Sequence, residues 1–178
     1  MHLNSFDNRS FNRGKGFLFE SVWILVGSCL VASRMPGARW RCIVLRFFGA
    51  RIGRMVVFKP RVRVKFPWKL HVGDFTWIGE DVWIDNLGDV TVGSHVCISQ
   101  GAYLCTGSHD WSSSSFDLMV SPITVGNHAW ICAMARIGPG VVIKEGAVAT
   151  FGSIISKNLD AWTIHDSQGA IKRRDVLI

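Results

Sequence analysis

The sequence predicts an all-β fold, a parallel β-helix of about five triangular coils with an N-terminal helical segment and one long protruding loop. Aliphatic residues recur every six positions, first from Ile52 to Leu104 and again from Val125 to Ile155. A helix repeats at about 3.6 residues and a strand at 2, whereas a six-residue unit is typical of one short strand plus one corner of a β-helix. The gap between the two runs predicts the loop.

Each six-residue unit contributes two side chains to the interior. The aliphatic residue points inward, and a small or aliphatic residue four places later fills the remaining space, as at Val82, Val96, Ala102, Ala129, Ala135, Val141, Ala147 and Ser153. The Gly that often follows the aliphatic residue is expected at a turn that needs its backbone freedom. Three units close one coil, and coils stack at the strand spacing of about 4.8 Å.

Three breaks in the repeat fall at equivalent positions. The spacing lengthens to eight residues after Val64 and after Ile84, and to 21 residues after Leu104. Each break follows the third unit of a coil, so all three insertions are expected to leave the prism at one corner. Long loops in a compact domain are commonly functional. The sequence therefore predicts a functional site along this corner.

The chain divides into an N-terminal basic and helical segment (1–50), the β-helix (51–160) with its inserted loop (105–122), and a C-terminal tail (161–178). Helices are expected at Phe17–Ala32 and, after Pro36-Gly37, at Trp40–Phe48. The first apolar stretch is shorter than the roughly 20 residues that span a bilayer. A helix on the membrane surface, a cap over the first coil and a signal peptide all remain open.

Composition narrows the function classes. The 178 residues are 48% hydrophobic, and the formal charge of +7 comes largely from the two ends. A basic front that alternates with apolar residues favours peripheral contact with an anionic membrane, and no nucleic-acid-binding motif is present. Five cysteines without a C-x-x-C pair argue against disulfides and against a zinc site.

His109 stands at the root of the long loop, in the stretch Tyr103 to Trp111. Imidazole titrates near neutral pH, so it can take a proton from a hydroxyl group and return it. The position five residues after His109 is Ser114, and this excludes the paired His ligands of a γ-class carbonic anhydrase. The sequence thus favours His109 as a general base without a metal.

The repeat, the words YLCTGSHDW, SPITVGNHAWIC and IGPGVVIKEGAV, and the front FFGARIG resemble the hexapeptide-repeat O-acetyltransferases. Within that family the resemblance is to the branch associated with colanic acid and other exopolysaccharides. It covers residues 47–158 densely. It implies a left-handed β-helix, a homotrimer with sites between adjacent prisms, and acetyl-coenzyme A as the co-substrate, with no metal.

The resemblance implies that His109 activates an acceptor hydroxyl for direct attack on the thioester. Asp85 and Asn86 match the acceptor side, although either could instead shape a turn. Asp110 could orient His109 or make a local loop contact, and Trp111 could stack on a sugar or pack the loop. The expected acceptor is a sugar or lipid-linked glycan, in the cytoplasm or at the inner face of its membrane.

The resemblance also implies which residues meet the coenzyme. The matching positions line its channel with backbone groups and small side chains, or meet its phosphates as cations: Trp130, Cys132, Ala133, Phe151, Gly152, Ser156, Arg173 and Arg174. Transfer to serine or to an amine is the alternative acyltransfer reaction. A non-catalytic β-helix scaffold is the alternative from another class, since a fold alone does not fix an activity.

Overall fold

A computed structural model describes residues 2–9 and 11–175, in which a left-handed parallel β-helix begins at Arg51. Five coils of three strands each follow one another along the chain. They comprise β1 (Arg51–Ile52), β2 (Val57–Phe58) and β3 (Arg63–Val64); β4 (Leu70–Val72), β5 (Trp77–Ile78) and β6 (Trp83–Asp85); β7 (Val90–Val92), β8 (Cys97–Ile98) and β9 (Tyr103–Cys105), which leads into the hairpin β10 (Gly107–His109) and β11 (Leu118–Val120); β12 (Ile123–Val125), β13 (Trp130–Ile131) and β14 (Arg136–Ile137); and β15 (Val142–Ile143), β16 (Val148–Ala149) and β17 (Ile154–Ile155).

Strands in the same position of successive coils pair in parallel and form three sheets. Sheet A contains the first strand of each coil, sheet B the second and sheet C the third. The register aligns the predicted inward residues, for example Ile78 with Ile98 and Ile98 with Ile131. The eight predicted filler positions are at most 3% exposed. The predicted repeat and its interior are therefore confirmed.

The coil count differs from the prediction of about five, because a partial sixth coil follows. Leu159 bridges to Ile143 on sheet A, and β18 (Thr163–His165) adds to sheet B before β19 (Ala170–Arg173) turns back antiparallel. The spacing from Ile155 to Leu159 is four positions instead of six. This shortened corner hides the last coil from a search for six-residue spacing.

The glycines of the repeat have a different role from the predicted one. Gly73, Gly79 and Gly126 do not adopt positive φ. They lie where a Cβ atom would come within 2.6 Å of the next coil's backbone. Positive φ occurs three residues after the aliphatic position instead, often at a non-glycine residue such as His95 (57°). The glycines therefore allow close stacking of coils and are not needed for left-handed turns.

The left-handed residues are stabilised by contacts between coils. The His95 amide donates to the Asp74 carbonyl of the preceding coil, and the His128 amide donates to that of Ser94. Their side chains form a column at the corner between sheets A and B, with ring centroids 5.0 Å apart for Phe75 and His95 and 5.1 Å for His95 and His128. Each bond and stack offsets part of the roughly 1–2 kcal/mol cost of left-handed backbone.

Two helices cover the open end of the first coil, as the helical prediction allowed. The first, α1 (Phe17–Val26), continues into a π-turn (Gly27–Val31), and α2 (Arg39–Phe47) packs on β1 and β2. Cys42, Leu45 and Phe48 are buried in this contact. In the described part of the chain, no helix has both the length and the apolar character to cross a bilayer.

The fully buried Arg41 joins these helices. Its guanidinium donates to the carbonyls of Val31, Ser33, Met35 and Gly37, which lie at and beyond the end of the π-turn. Those carbonyls lack helical partners, and the helix dipole favours a cation there. Burial lowers the pKa of Arg41, but an arginine still retains its proton.

Replacement of Gly73 by alanine should lower the free energy of unfolding by about 2–3 kcal/mol, because the new methyl group would overlap the backbone of Gly93 and Ser94. Gly138→Ala is the matched control at the same repeat position, where a Cβ lies 3.4 Å from its nearest neighbour. Denaturant unfolding of both variants measures the difference. Equal effects would contradict the stacking role.

Candidate active site

The long insertion forms an antiparallel hairpin at the corner between sheets C and A. Residues of β10 pair with β11 in the register that places His109 opposite Leu118. At its base, the buried Thr106 hydroxyl donates to the Asp85 carbonyl and accepts from the Gly88 amide. The third insertion is therefore fixed to the second, as expected for insertions that leave one corner.

The hairpin holds the His109 ring in one orientation. Its Nδ1 lies 2.8 Å from the Phe116 carbonyl oxygen, and its ring stacks on Phe116 with centroids 4.1 Å apart and planes 2° apart. Phe6 of the N-terminal segment contacts the same ring at 5.5 Å. Because a carbonyl oxygen only accepts, the contact places a proton on Nδ1, and in the neutral ring Nε2 then presents a lone pair. This is the tautomer that a general base requires.

The N-terminal segment lies along the three insertions. The His2 amide donates to the Ser114 carbonyl in the hairpin, and Lys69 Nζ contacts the carbonyls of Asn12 and Leu87. Nothing in the six-residue repeat points to Phe6 or Phe116. Phe116 reaches the His109 ring because β10 pairs with β11, and Phe6 reaches it from a distant position in the sequence. Neither contact could be predicted from the sequence.

Asp110 and Trp111 occupy the hairpin tip. Asp110 Oδ1 accepts from the Ser112 amide at 2.8 Å and from its hydroxyl, and these bonds lower the pKa of Asp110. The carboxylate thus makes the local loop contact and has no bond to His109. The Trp111 side chain is 86% exposed, which leaves its ring free to meet a ligand.

Asn86 is fully buried and bound within the chain. Its Oδ1 accepts from the Phe66 amide at 3.0 Å, and its Nδ2 donates to the Phe66 carbonyl at 2.7 Å. The side chain therefore ties the second insertion to the first. This arrangement favours the turn-shaping alternative for Asn86 over contact with an acceptor.

Asp85 forms a polar cluster on the outer face of sheet C. Tyr103 donates to its Oδ2 at 3.0 Å, and burial together with hydrogen bonding raises the pKa of Tyr103. Lys65 Nζ lies 3.2 Å from Oδ1 as an ion pair without hydrogen-bond alignment, so this buried oxygen accepts no hydrogen bond from the described residues. Asp85 Oδ1 is thus enclosed beside the Lys65 ammonium group.

Most residues expected at the coenzyme lie on sheet B and at the corner between sheets B and C. Trp130 is 44% exposed and donates to Ser99 Oγ at 2.9 Å, beside a groove of about 420 Å³ that Trp77, Cys97 and Ser99 line. The residues at the corner itself are Cys132, Ala133, Phe151 and Gly152. Burial raises the pKa of Cys132.

Ser156, Arg173 and Arg174 are the remaining coenzyme candidates. Ser156 is at the corner of sheets C and A, the same corner as His109. Arg174 donates to the carbonyls of His128 and Gly146 at the corner between sheets A and B. Arg173 is exposed on β19. Ser156 is therefore on the opposite side of the prism from Trp130, whereas Arg173 lies on the same sheet as Trp130 and Arg174 lies at the corner beside it.

The two halves of the predicted site face different directions within one chain. The hairpin with His109 leaves the corner between sheets C and A, which lies opposite sheet B in a triangular coil. Trp130 begins the next coil on sheet B. The histidine and the Trp130 groove are thus at similar heights along the prism but on opposite sides of it.

The left-handed β-helix with six-residue repeats is the fold of the hexapeptide-repeat acetyltransferases. The chain belongs to this family, together with WcaF of Escherichia coli strain K12, which is named as a colanic acid biosynthesis acetyltransferase. The two are 37% identical over 167 residues, which cover 94% of this chain and 92% of WcaF. No protein-family profile matches the chain.

Solved structures share the fold. A maltose O-acetyltransferase from Clostridium difficile 630 has a TM-score of 0.76 and 19% identity, covering 90% of each chain. The Vibrio cholerae hexapeptide-repeat acetyltransferase VCA0836, in complex with acetyl-coenzyme A, also has a TM-score of 0.76 and 19% identity. That match covers 89% of this chain and 87% of the other.

Replacement of Asn86 by alanine should lower the free energy of unfolding by about 2–4 kcal/mol, because both buried backbone groups of Phe66 lose their partner. Chemical denaturation measures this loss. Asn158→Ala, which removes one exposed bond to the Val142 amide, is the control and should cost about 1 kcal/mol or less. A stable Asn86 variant with a raised KM for acceptor would instead support acceptor binding.

Proposed function

We propose that the protein transfers the acetyl group of acetyl-coenzyme A to a sugar hydroxyl during synthesis of a cell-surface polysaccharide, with His109 as the general base. The observation that carries the proposal is the Nδ1 contact with the Phe116 carbonyl, which leaves the Nε2 lone pair available. Family membership supports the acetyl donor, and the name of WcaF supports an exopolysaccharide acceptor.

In the proposed reaction, His109 Nε2 removes the proton of the acceptor hydroxyl as the oxygen attacks the thioester carbonyl. The tetrahedral intermediate then collapses, the carbon–sulfur bond breaks, and the imidazolium returns the proton to the departing thiolate. Phe116 and Phe6 hold the ring, so little orientation is lost on reaching the transition state. The exposed Trp111 is the candidate for binding a sugar face, and Asp85, whose Oδ1 is buried, would position Tyr103 and Lys65 beside the acceptor.

A homotrimer belongs to the same proposal. His109 and the Trp130 groove lie on opposite sides of one prism but at similar heights, so neighbouring copies with parallel axes would bring them together. The coenzyme would then lie against Trp130, Cys132, Ala133, Phe151 and Gly152 of one copy. Ser156 would approach it from the copy that supplies His109.

The proposed function also includes a cellular location for the protein, and other acceptors are its alternatives. Acetyl-coenzyme A is a cytosolic donor, which supports the cytoplasm and, for a lipid-linked glycan, the inner face of its membrane. Transfer to serine or an amine would use the same base, so an acceptor panel must separate these reactions. Incubation with acetyl-coenzyme A and neutral sugars, amino sugars, serine or lipid-linked glycans, followed by mass spectrometry, identifies the acceptor.

Loss of the His109 imidazole in His109→Ala should lower kcat at least about a hundredfold, the usual scale for a general base. The matched control is His71→Ala on the outer face of sheet A, which should keep its activity. Steady-state release of coenzyme A measures both variants. Near-normal turnover by His109→Ala would exclude the mechanism.

A site shared between copies predicts complementation. His109→Ala and Ala133→Trp, a variant that places a bulky side chain on the proposed coenzyme surface, should each be inactive alone. Random co-assembly of equal amounts should restore about a quarter of the sites, because one interface can combine an intact His109 with an intact groove. If both halves came from one chain, the mixture would stay inactive.

A further inference from the structure

Charge is segregated along the prism axis. Of the 20 Lys and Arg residues, 14 lie between positions 8 and 73, where Glu20 is the only acidic residue. Of the 13 Asp and Glu residues, 11 lie from Asp74 onward. Residues 8–73 form the two cap helices, the first coil and the start of the second. Five of these cations pair with carboxylates, namely Arg9, Arg13, Arg54, Arg61 and Lys65. The others leave this end of the prism basic, and we call it the basic end.

The helix α1 at the basic end buries its charged residue and exposes apolar side chains. Its single charged residue, Glu20, is buried against Arg13, with oxygen–nitrogen distances of 2.7 and 2.8 Å. Trp23 also points inward and donates to the Lys65 carbonyl. The outward positions are apolar, with Phe17 86%, Leu18 77% and Leu25 67% exposed, and Val22 and Ile24 beside them. An exposed apolar face of this kind marks an interaction site.

Cations surround this apolar face. Lys15 precedes α1 and lies over the Phe19 ring, and Arg34 follows the π-turn. Arg39 is exposed at the start of α2, where Ile43 and Phe47 are exposed as well. None of these three cations has a carboxylate oxygen within 4 Å in the part of the chain that is described.

We propose that the basic end docks on an anionic lipid bilayer, with the outer face of α1 embedded at the interface and the cations against lipid headgroups. Apolar side chains beside Lys and Arg are the recognised composition of an interfacial helix. This proposal rests on the membrane location in the proposed function, and it identifies the surface through which the protein would bind that membrane. Vesicle binding needs no acetyl transfer, so either proposal can fail without the other.

A second copy of the chain fits this surface less well. Two basic ends facing each other would bring like charges together, which disfavours a symmetric contact. A basic end against the far end of another copy would be a head-to-tail contact, which grows into open filaments. A bilayer, in contrast, offers both an apolar layer and negative charge without any contact between copies.

Docking through the basic end also sets the orientation. Coils stack along the prism axis from the first coil outward, so α1 and α2 lie at the membrane while the far coils point away. The hairpin leaves the third coil, two coil steps or about 10 Å beyond the first. The prism therefore stands upright on the bilayer with His109 above the headgroups.

The test is co-sedimentation of the full chain with phosphatidylcholine vesicles, with and without phosphatidylglycerol. The protein should bind the anionic vesicles, and salt should weaken the binding. Leu18→Glu with Leu25→Glu should reduce partitioning at least about tenfold. Arg34→Glu with Arg39→Glu should reduce it by a similar factor at low salt.

Two matched controls make the same chemical changes at the far coils. Ile154→Glu alters a side chain that is 57% exposed, and Arg136→Glu reverses an exposed cation. Both should bind vesicles as the unaltered chain does. Thermal unfolding and light scattering check that all variants keep their fold and subunit number.

Three outcomes would overturn the inference. The unaltered chain could fail to prefer anionic vesicles, the α1 variants could bind as well as the controls, or the α1 variants could change the subunit number. The last result would assign the α1 face to contact between copies.

Discussion

Hydrogen bonding between successive coils is the constraint on which the rest of the molecule depends. Strands of only two or three residues cannot be stable alone, so each is held by the strands above and below it. This pairing requires every coil to approach the next at a fixed distance. Gly73 and Gly126 permit that approach, and the left-handed residues between sheets A and B donate their amides along the same direction.

The sequence predicts the parts that this constraint repeats. Inward positions must suit a narrow triangular interior, so Ile78, Ile98 and Ala102 could be assigned from spacing alone, and the three insertions could be assigned to one corner. His109 could be found because its loop interrupts the pattern. The sixth coil could not be counted, since the corner before Leu159 is two residues shorter than the repeat.

Contacts that cross the repeat could not be predicted. The ring of His109 is held by Phe116 through hairpin pairing and by Phe6 from the other end of the sequence. Asn86 has a side chain and a position suited to ligand binding, yet its amide points inward and bonds to the backbone of Phe66. Both cases depend on side-chain direction, which the period of a sequence does not contain. The opposite placement of His109 and Trp130 likewise needed the order of the sheets.

The corner between sheets C and A has a consequence for how such a protein can change its length. A single residue added within a strand would turn inward side chains outward and disturb every later coil, because side chains alternate along a strand. At this corner, by contrast, additions of two and fifteen residues and a deletion of two coexist with an undisturbed stack. Evolution can therefore lengthen, shorten or exchange loops there, so loops of new length and chemistry can arise without the prism being redesigned.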